Sequence, residues 1–312
     1  MVSYGILFPG QGSQFVGMGA ELFEARSALL GPRSDDILGW SLEQMCLEGP
    51  EDELTRTEHA QPALFALSYA MWDILSESLD TRPSGAAGHS LGEYTALCAA
   101  GVIDYDSALG AVSARGKAMA ESADKEDSGM AALIGADLEL AGSVVEQRSA
   151  LGGRLEVANI NAPGQIVVAG GADDIEWLSE NSRDLGVRRV IPLKVAGAFH
   201  SSFMESAADE VGRALADLDI AKPEFPVWSN TTARPHDMGN VQRLLREQVV
   251  STVRFSESLS DMAASGINTF VHVGPGDVTA GMARRTVSDA RVLVVSKIDE
   301  IDDAAGSLGT MA

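Results

Sequence analysis

Residues 86–97 read AAGHSLGEYTAL, with Ser90 held between Gly88 and Gly92. A serine on a sharp strand-to-helix turn displays its Oγ to solvent, and the amide of the next residue, Leu91, then faces a developing oxyanion from a helix N-terminus. The same pattern also suits a glycine-lined packing turn in which Ser90 caps the helix. These residues alone leave both readings open. A serine hydroxyl is a poor nucleophile near neutrality and needs a base. Five histidines are available. His89 adjoins Ser90 and is expected to point elsewhere, while His59, His236 and His272 fall in helix-start, loop and buried-strand contexts. His200, in VAGAFHSSFM, follows a chain crossover of the kind that lines clefts, and it is the candidate base. Its plain alternative is a loop histidine capped by Ser201 and Ser202.

The elements that must position these groups read as α/β. GILFPG at 5–10 is a short strand stopped by Pro9-Gly10, and helical spacing follows from Gly17 to Leu30. After a charged stretch at 48–58, Gln61 to Leu79 repeats apolar residues at threes and fours, which predicts a long helix with Pro62 in its first turn. The small-residue run GAAGHS precedes LGEYTALCAAG, a helix ending at Gly101. From 127 to 196 the order is strand MAALIGA, helix from Asp137, strands LEVANINA and QIVVAGG, helix 173–185, and strand RRVIPLKV. That β-α-β-β-α-β order is ferredoxin-like and predicts an inserted small subdomain. The chain then gives helix 205–217, strand PVWSN, helices 240–250 and 256–265, strand TFVHVGPG, and a last helix and strand to Ser296. The acidic tail from Ile298 is expected to fray. The division is therefore a large α/β domain, 1–126 and 197–312, carrying a small subdomain, 127–196.

Composition narrows the functional classes. In 312 residues, 45% are hydrophobic and 22% charged, the balance of a globular chain. A net charge of -22 argues against nucleic acid, which is bound through clustered Lys and Arg. No apolar run reaches the roughly 18 residues of a membrane span, and MVSYGILFPG has no basic leader region, so no membrane attachment is predicted. Cys46 and Cys98 lack metal-ligand spacing, and a reduced, cytoplasmic setting is expected.

Six motifs, met in order nearly end to end, carry a family resemblance. FPGQGSQ at 8–14, GHSLGEY at 88–94, the arginine of SARGKAM, NINAPGQIVVAG at 159–170, GAFHS at 197–201 and VGPG at 273–276 together resemble the malonyl-CoA:acyl-carrier-protein transacylases and polyketide-synthase acyltransferase domains. DILGWSLEQMC, AQPALFAL and SNTTARP are similar to the discrete acyltransferases that serve modular polyketide synthases in trans. The resemblance implies an α/β-hydrolase-like large domain and ping-pong transfer from malonyl-CoA, through an acyl-serine at Ser90, to the phosphopantetheine thiol of a holo acyl carrier protein. It implies His200 as general base, oriented by the backbone carbonyl of Gln248 in place of an aspartate, and an oxyanion hole from the amides of Leu91 and Gln11. It assigns Arg115 to the malonyl carboxylate, Gln61 and Asn161 to the pocket, and Phe199 to the space an α-methyl would need. No metal and no bound cofactor are implied, and a monomer is expected.

The basic residues Arg183, Arg188, Arg189 and Lys194 stand out against the acidic chain and are a candidate landing face for an acidic carrier; an ordinary charged face is the alternative. Asp277, after GPG, departs from many relatives, which carry lysine or another residue there. Two other functions remain in view: an acyl hydrolase that clears stalled chains, which retention of Arg115 disfavours, and a non-catalytic carrier-binding module, which Ser90 and His200 disfavour.

Overall fold

A computed structural model of the chain describes residues 3–309. It contains nine strands: β1 (Tyr4–Phe8), β2 (Gly85–Gly88), β3 (Ser128–Ile134), β4 (Leu155–Ala162), β5 (Gln165–Gly171), β6 (Arg189–Pro192), β7 (Val227–Trp228), β8 (Thr269–Val273) and β9 (Arg291–Val295). Five of them form a parallel sheet in the order β7-β2-β1-β8-β9. The strand YGILF is buried along its whole length, as a continuous apolar run flanked by helices on both faces must be. The loops carrying Gln11, Ser90, Asn230 and Gly274 leave the carboxyl ends of β1, β2, β7 and β8, four adjacent strands, and that edge is where open α/β sheets bind ligands.

The other four strands form an antiparallel sheet in the order β4-β5-β3-β6, the ferredoxin-like arrangement. Alternation decides its two faces. Ala131 and Leu133 pack with Val144, Ile166 and Leu178 against the helices Leu138–Ala150 and Ala172–Asn181, whereas Met130 and Ala132 join the main core on the opposite side. An isolated parallel bridge ties β4 to the segment just before helix Phe255–Ala264, where Ile160 donates to the Val253 carbonyl and Val253 to that of Ala158. Register shifts on either side of this junction re-aim Asn159 and Asn161 toward the space between the sheets.

Several local expectations are corrected. The long helix runs Thr57–Glu77, so Pro62 lies inside it; buried Thr57 and Ala60 pack the extra turn, which offsets the one backbone hydrogen bond that proline forgoes. The stretch Gly17–Leu30 is two short helices, Ala20–Ala25 and Ser27–Leu30, interrupted at Arg26, whose guanidinium turns to Asp73 at 2.5 Å. The tail does not fray up to Gly309. Helix Ile301–Gly309 buries Ile301, Ala304 and Leu308, a helical stripe that the acidic residues between them obscure. Residues 310–312 of that tail lie outside the described residues.

Candidate active site

Ser90 occupies a strained turn between β2 and helix Gly92–Ala99. Its φ is 53°, in the left-handed region that a non-glycine residue rarely adopts. The flanking glycines permit the turn by close approach: a Cβ on Gly88 would lie 1.8 Å from the Gly92 carbonyl oxygen, and one on Gly92 would lie 2.6 Å from those of Phe8 and Pro9. Polar contacts then fix the turn. Asn230 Oδ1 accepts from the Ser90 amide at 2.7 Å, and Gln248 Nε2 donates to the Ser90 carbonyl at 2.9 Å. Strain of this kind persists where surrounding bonds over-determine it, and it presents Oγ outward.

His200 meets Ser90 from the other side of the cleft. Its Nε2 lies 2.8 Å from Ser90 Oγ, and its Nδ1 lies 2.8 Å from the backbone oxygen of Gln248. A carbonyl can only accept, so Nδ1 carries the proton and Nε2 is left as the acceptor facing the serine hydroxyl. His200 also has a positive φ of 58°, held by the Ser201 hydroxyl bonding to the Ala198 carbonyl at 2.5 Å and by the Glu156 carboxylate receiving the Ser202 amide at 3.2 Å.

Arg115 is fully buried beside this pair. It donates to Gln61 Oε1 at 2.6 Å, to Ser90 Oγ at 2.9 Å and to Gln248 Oε1 at 2.9 Å. Burial first, and then the nearby Arg115 charge, push the His200 pKa down to about 3 against the opposing bond to Gln248. The imidazole is therefore neutral and able to accept a proton far below its ordinary range. The rate of Ser90 acylation should stay flat from about pH 8 to about pH 5 and fall only below that; a limb centred near pH 6.5, followed by stopped-flow or quenched mass measurement, would contradict it. The folded-state pKa is depressed, so the stabilisation from neutral His200 is present above about pH 6.5 and is lost as pH falls from there toward about 3.

A cavity of about 260 Å³ opens over these groups, between the two sheets. Gln11, Gln61, Ser90, Asn161, Phe199 and His200 all line it, with Met130, Ala132 and Val167 as the apolar wall. Gly12, at φ 104°, lets the loop after β1 turn toward Ser90, and Gly10 passes so close to the His89 carbonyl that a Cβ would stand 2.7 Å from it. Gly10 thus serves close approach and only Gly12 a positive φ. Leu91 sits at the cap of helix Gly92–Ala99, and among the described residues neither its amide nor that of Gln11 has a hydrogen-bond acceptor.

His89 is not turned away, as its adjacency to Ser90 suggests. It lines the cavity, with Nε2 at 2.7 Å from Asn161 Oδ1 and its ring edge-on to Phe255. Asn230 and Glu93 are given no role by the sequence reading, and His236 is read there only as a loop histidine. Asn230 braces the Ser90 turn, and the buried Glu93 receives Gln248 Nε2 at 2.6 Å, the Asn230 amide at 3.0 Å and His236 Nε2 at 2.6 Å. An acid buried within a short apolar helix is the one signal that marks Glu93. Arg183, Arg188, Arg189 and Lys194 are exposed and stand outside the cavity, Arg189 on the edge strand β6. Asp277 precedes helix Val278–Thr286, whose Val278 and Met282 do reach the cavity. Among the described residues no group of His, Cys, Asp and Glu could hold a metal ion, and no helix is long and apolar enough to cross a membrane.

Comparison with known proteins gives the same outline. The acyl transferase domain family matches residues 6–310. The malonyl CoA-acyl carrier protein transacylase of Bacillus subtilis is 39% identical over 99% of this chain and 98% of its own. The polyketide biosynthesis malonyl CoA-acyl carrier protein transacylase PksC of the same organism is 35% identical over 94% and 99%. Among solved structures, the acyl-carrier-protein-S-malonyltransferase of Bartonella henselae superposes with a TM-score of 0.93 at 36% identity, covering 98% of this chain and 99% of that one. A malonyl-transacylase solved in complex with its holo type II polyketide acyl-carrier protein superposes at 0.92, with 33% identity and coverage of 98% and 99%.

Proposed function

This chain belongs to the acyl transferase domain family, and on that premise we propose that it moves a malonyl group from malonyl-CoA, by way of Ser90, to the phosphopantetheine thiol of an acyl carrier protein in polyketide or fatty acid assembly. The observation that carries the reading is the chain Gln248 O to His200 to Ser90 Oγ with the Arg115 guanidinium against the same oxygen. His200 Nε2 takes the Ser90 proton as Oγ attacks the thioester carbonyl, and the amides of Leu91 and Gln11 receive the oxyanion. Collapse expels the CoA thiolate, which recovers the proton from the imidazolium. In the second half, His200 deprotonates the pantetheine thiol, the sulfur attacks the acyl ester, and the proton returns to Ser90 as it leaves. No step calls on a metal or a bound cofactor.

Arg115 is fully buried beside Ser90, and we read its fork, which here donates to Gln61, Gln248 and Ser90 Oγ, as the partner of a carboxylate on the acyl group, a reading that favours dicarboxylic acyl transfer over hydrolysis of monoacyl chains. Phe199 narrows the cavity beside His200, which favours malonyl over branched units. We read residues 127–196 as a subdomain that supplies the opposite wall of the cleft. The test is intact mass after brief incubation with malonyl-, methylmalonyl- and acetyl-CoA. One malonyl adduct, formed in preference to the others, is expected; equal labelling by all three would overturn the assignment.

The carrier would be acidic, and exposed Arg183, Arg188, Arg189 and Lys194, on edge strand β6 and the segments leading into and out of it, offer it a landing face. Reversing the charge of Arg188 and Arg189 should raise the KM for the carrier and flatten its salt dependence, with self-acylation by malonyl-CoA unchanged. Equal kinetics in parent and variant would move docking elsewhere, first to Arg284 and Arg285.

A further inference from the structure

Arg115 is an unusual cation, because all three of its acceptors are neutral oxygens: the Gln61 and Gln248 amides and the Ser90 hydroxyl. Its Nε is buried and has no partner among the described residues. A fully buried guanidinium needs compensating negative charge. That charge is one side chain away. Gln248 accepts from Arg115 through Oε1 and donates to Glu93 Oε2 through Nε2 at 2.6 Å, so its amide bridges the cation and a wholly buried carboxylate. Glu93 is fixed there by the Asn230 amide and, at its other oxygen, by His236.

We propose that Glu93 is the resident counter-ion of Arg115, acting through the Gln248 amide, and that it sets how strongly the site holds a substrate carboxylate. The proposal rests on the reading of Arg115 as the carboxylate receptor. Placement across an amide resolves a conflict. A carboxylate in direct contact would fill the guanidinium fork and exclude the substrate. No nearby carboxylate at all would leave the empty site with an uncompensated cation and bind the substrate anion too tightly for an enzyme that must pass it on. Glu93 stabilises the empty site and, as a second anion behind Arg115, weakens the hold on the incoming one.

The test uses Glu93→Gln, which keeps the shape and one acceptor oxygen for Gln248 Nε2 and the Asn230 backbone amide while removing the charge, its new NH2 facing a His236 Nε2 that accepts in the other imidazole tautomer, in a Ser90→Ala background that cannot be acylated. Calorimetric binding of malonyl-CoA should tighten by roughly 5- to 50-fold, the scale of one charge at several ångströms in a partly screened interior, with acetyl-CoA changed less than about twofold. Equal weakening of both thioesters would make Glu93 merely structural, and an unchanged malonyl affinity would also overturn the proposal. If the Ser90→Ala parent itself binds the two thioesters alike, it is the Arg115 reading that fails. A thermal-unfolding cycle covers a folding defect: Glu93→Gln should be less stable than the parent, and Glu93→Gln with Arg115→Met should recover stability beyond the sum of the two single changes. Folding rescued only in the double variant supports the counter-ion role; strict additivity, or no rescue, refutes it.

Discussion

Ser90→Ala is expected to abolish the malonyl adduct altogether while leaving the thermal unfolding transition in place. The side chain lost is one hydroxyl at the cavity floor, and the turn is held by its backbone bonds to Asn230 and Gln248, which alanine retains. An adduct that persists in this variant would place the nucleophile elsewhere. His200→Ala should slow acylation by roughly two to four orders of magnitude, because Ser90 Oγ–H then has no acceptor at Nε2 distance. Gln248→Ala makes a sharper comparison. The contact that orients His200 is a backbone carbonyl, which alanine preserves, so this variant should lose less acylation rate than His200→Ala. An equal loss would show that the Gln248 amide, with its bonds to Arg115, Glu93 and Ser90, matters as much as the base itself.

How much of this was legible depends on what kind of constraint each residue obeys. Ser90 and His200 could be chosen from the chain because nucleophile and base are limited to few residue types and because glycine spacing marks a tight turn. β4 and β5 fall on LEVANINA and QIVVAGG, short runs bounded by Gly and Pro that carry the β-branched residues of a strand. Gln248 and Gln11 entered only through family resemblance, since a contribution made by backbone carbonyl or amide leaves no mark on side-chain identity. His89 was misplaced for a definite reason. The rule that neighbours point to opposite sides assumes extended backbone, and Ser90 at φ 53° breaks it, so both residues face the cleft. The Glu93, Asn230 and His236 cluster draws on segments more than a hundred residues apart, brought together only when β7 pairs with β2.

Arg115→Ala should cost malonyl transfer about 2–5 kcal/mol, the usual penalty for truncating one member of a buried, hydrogen-bonded charge pair. That is about 30-fold to several thousandfold in kcat/KM. Acetyl transfer should hold steady or improve. An acetyl group brings no carboxylate, and the guanidinium that now donates to Ser90 Oγ at 2.9 Å competes for the lone pairs of the attacking atom. Arg115→Lys divides the effect further: it keeps a cation but loses the two parallel donors, so malonyl transfer should fall between parent and alanine variant. Phe199→Val works on shape, opening room beside His200 and raising the methylmalonyl-to-malonyl ratio by at most about 1–3 kcal/mol, without the malonyl-to-acetyl reversal. All three variants are to be assayed with the three CoA thioesters at one carrier concentration. Equal depression of malonyl and acetyl transfer by Arg115→Ala would make the arginine a structural prop for Gln61 and Gln248, and dicarboxylate selectivity would then need another source.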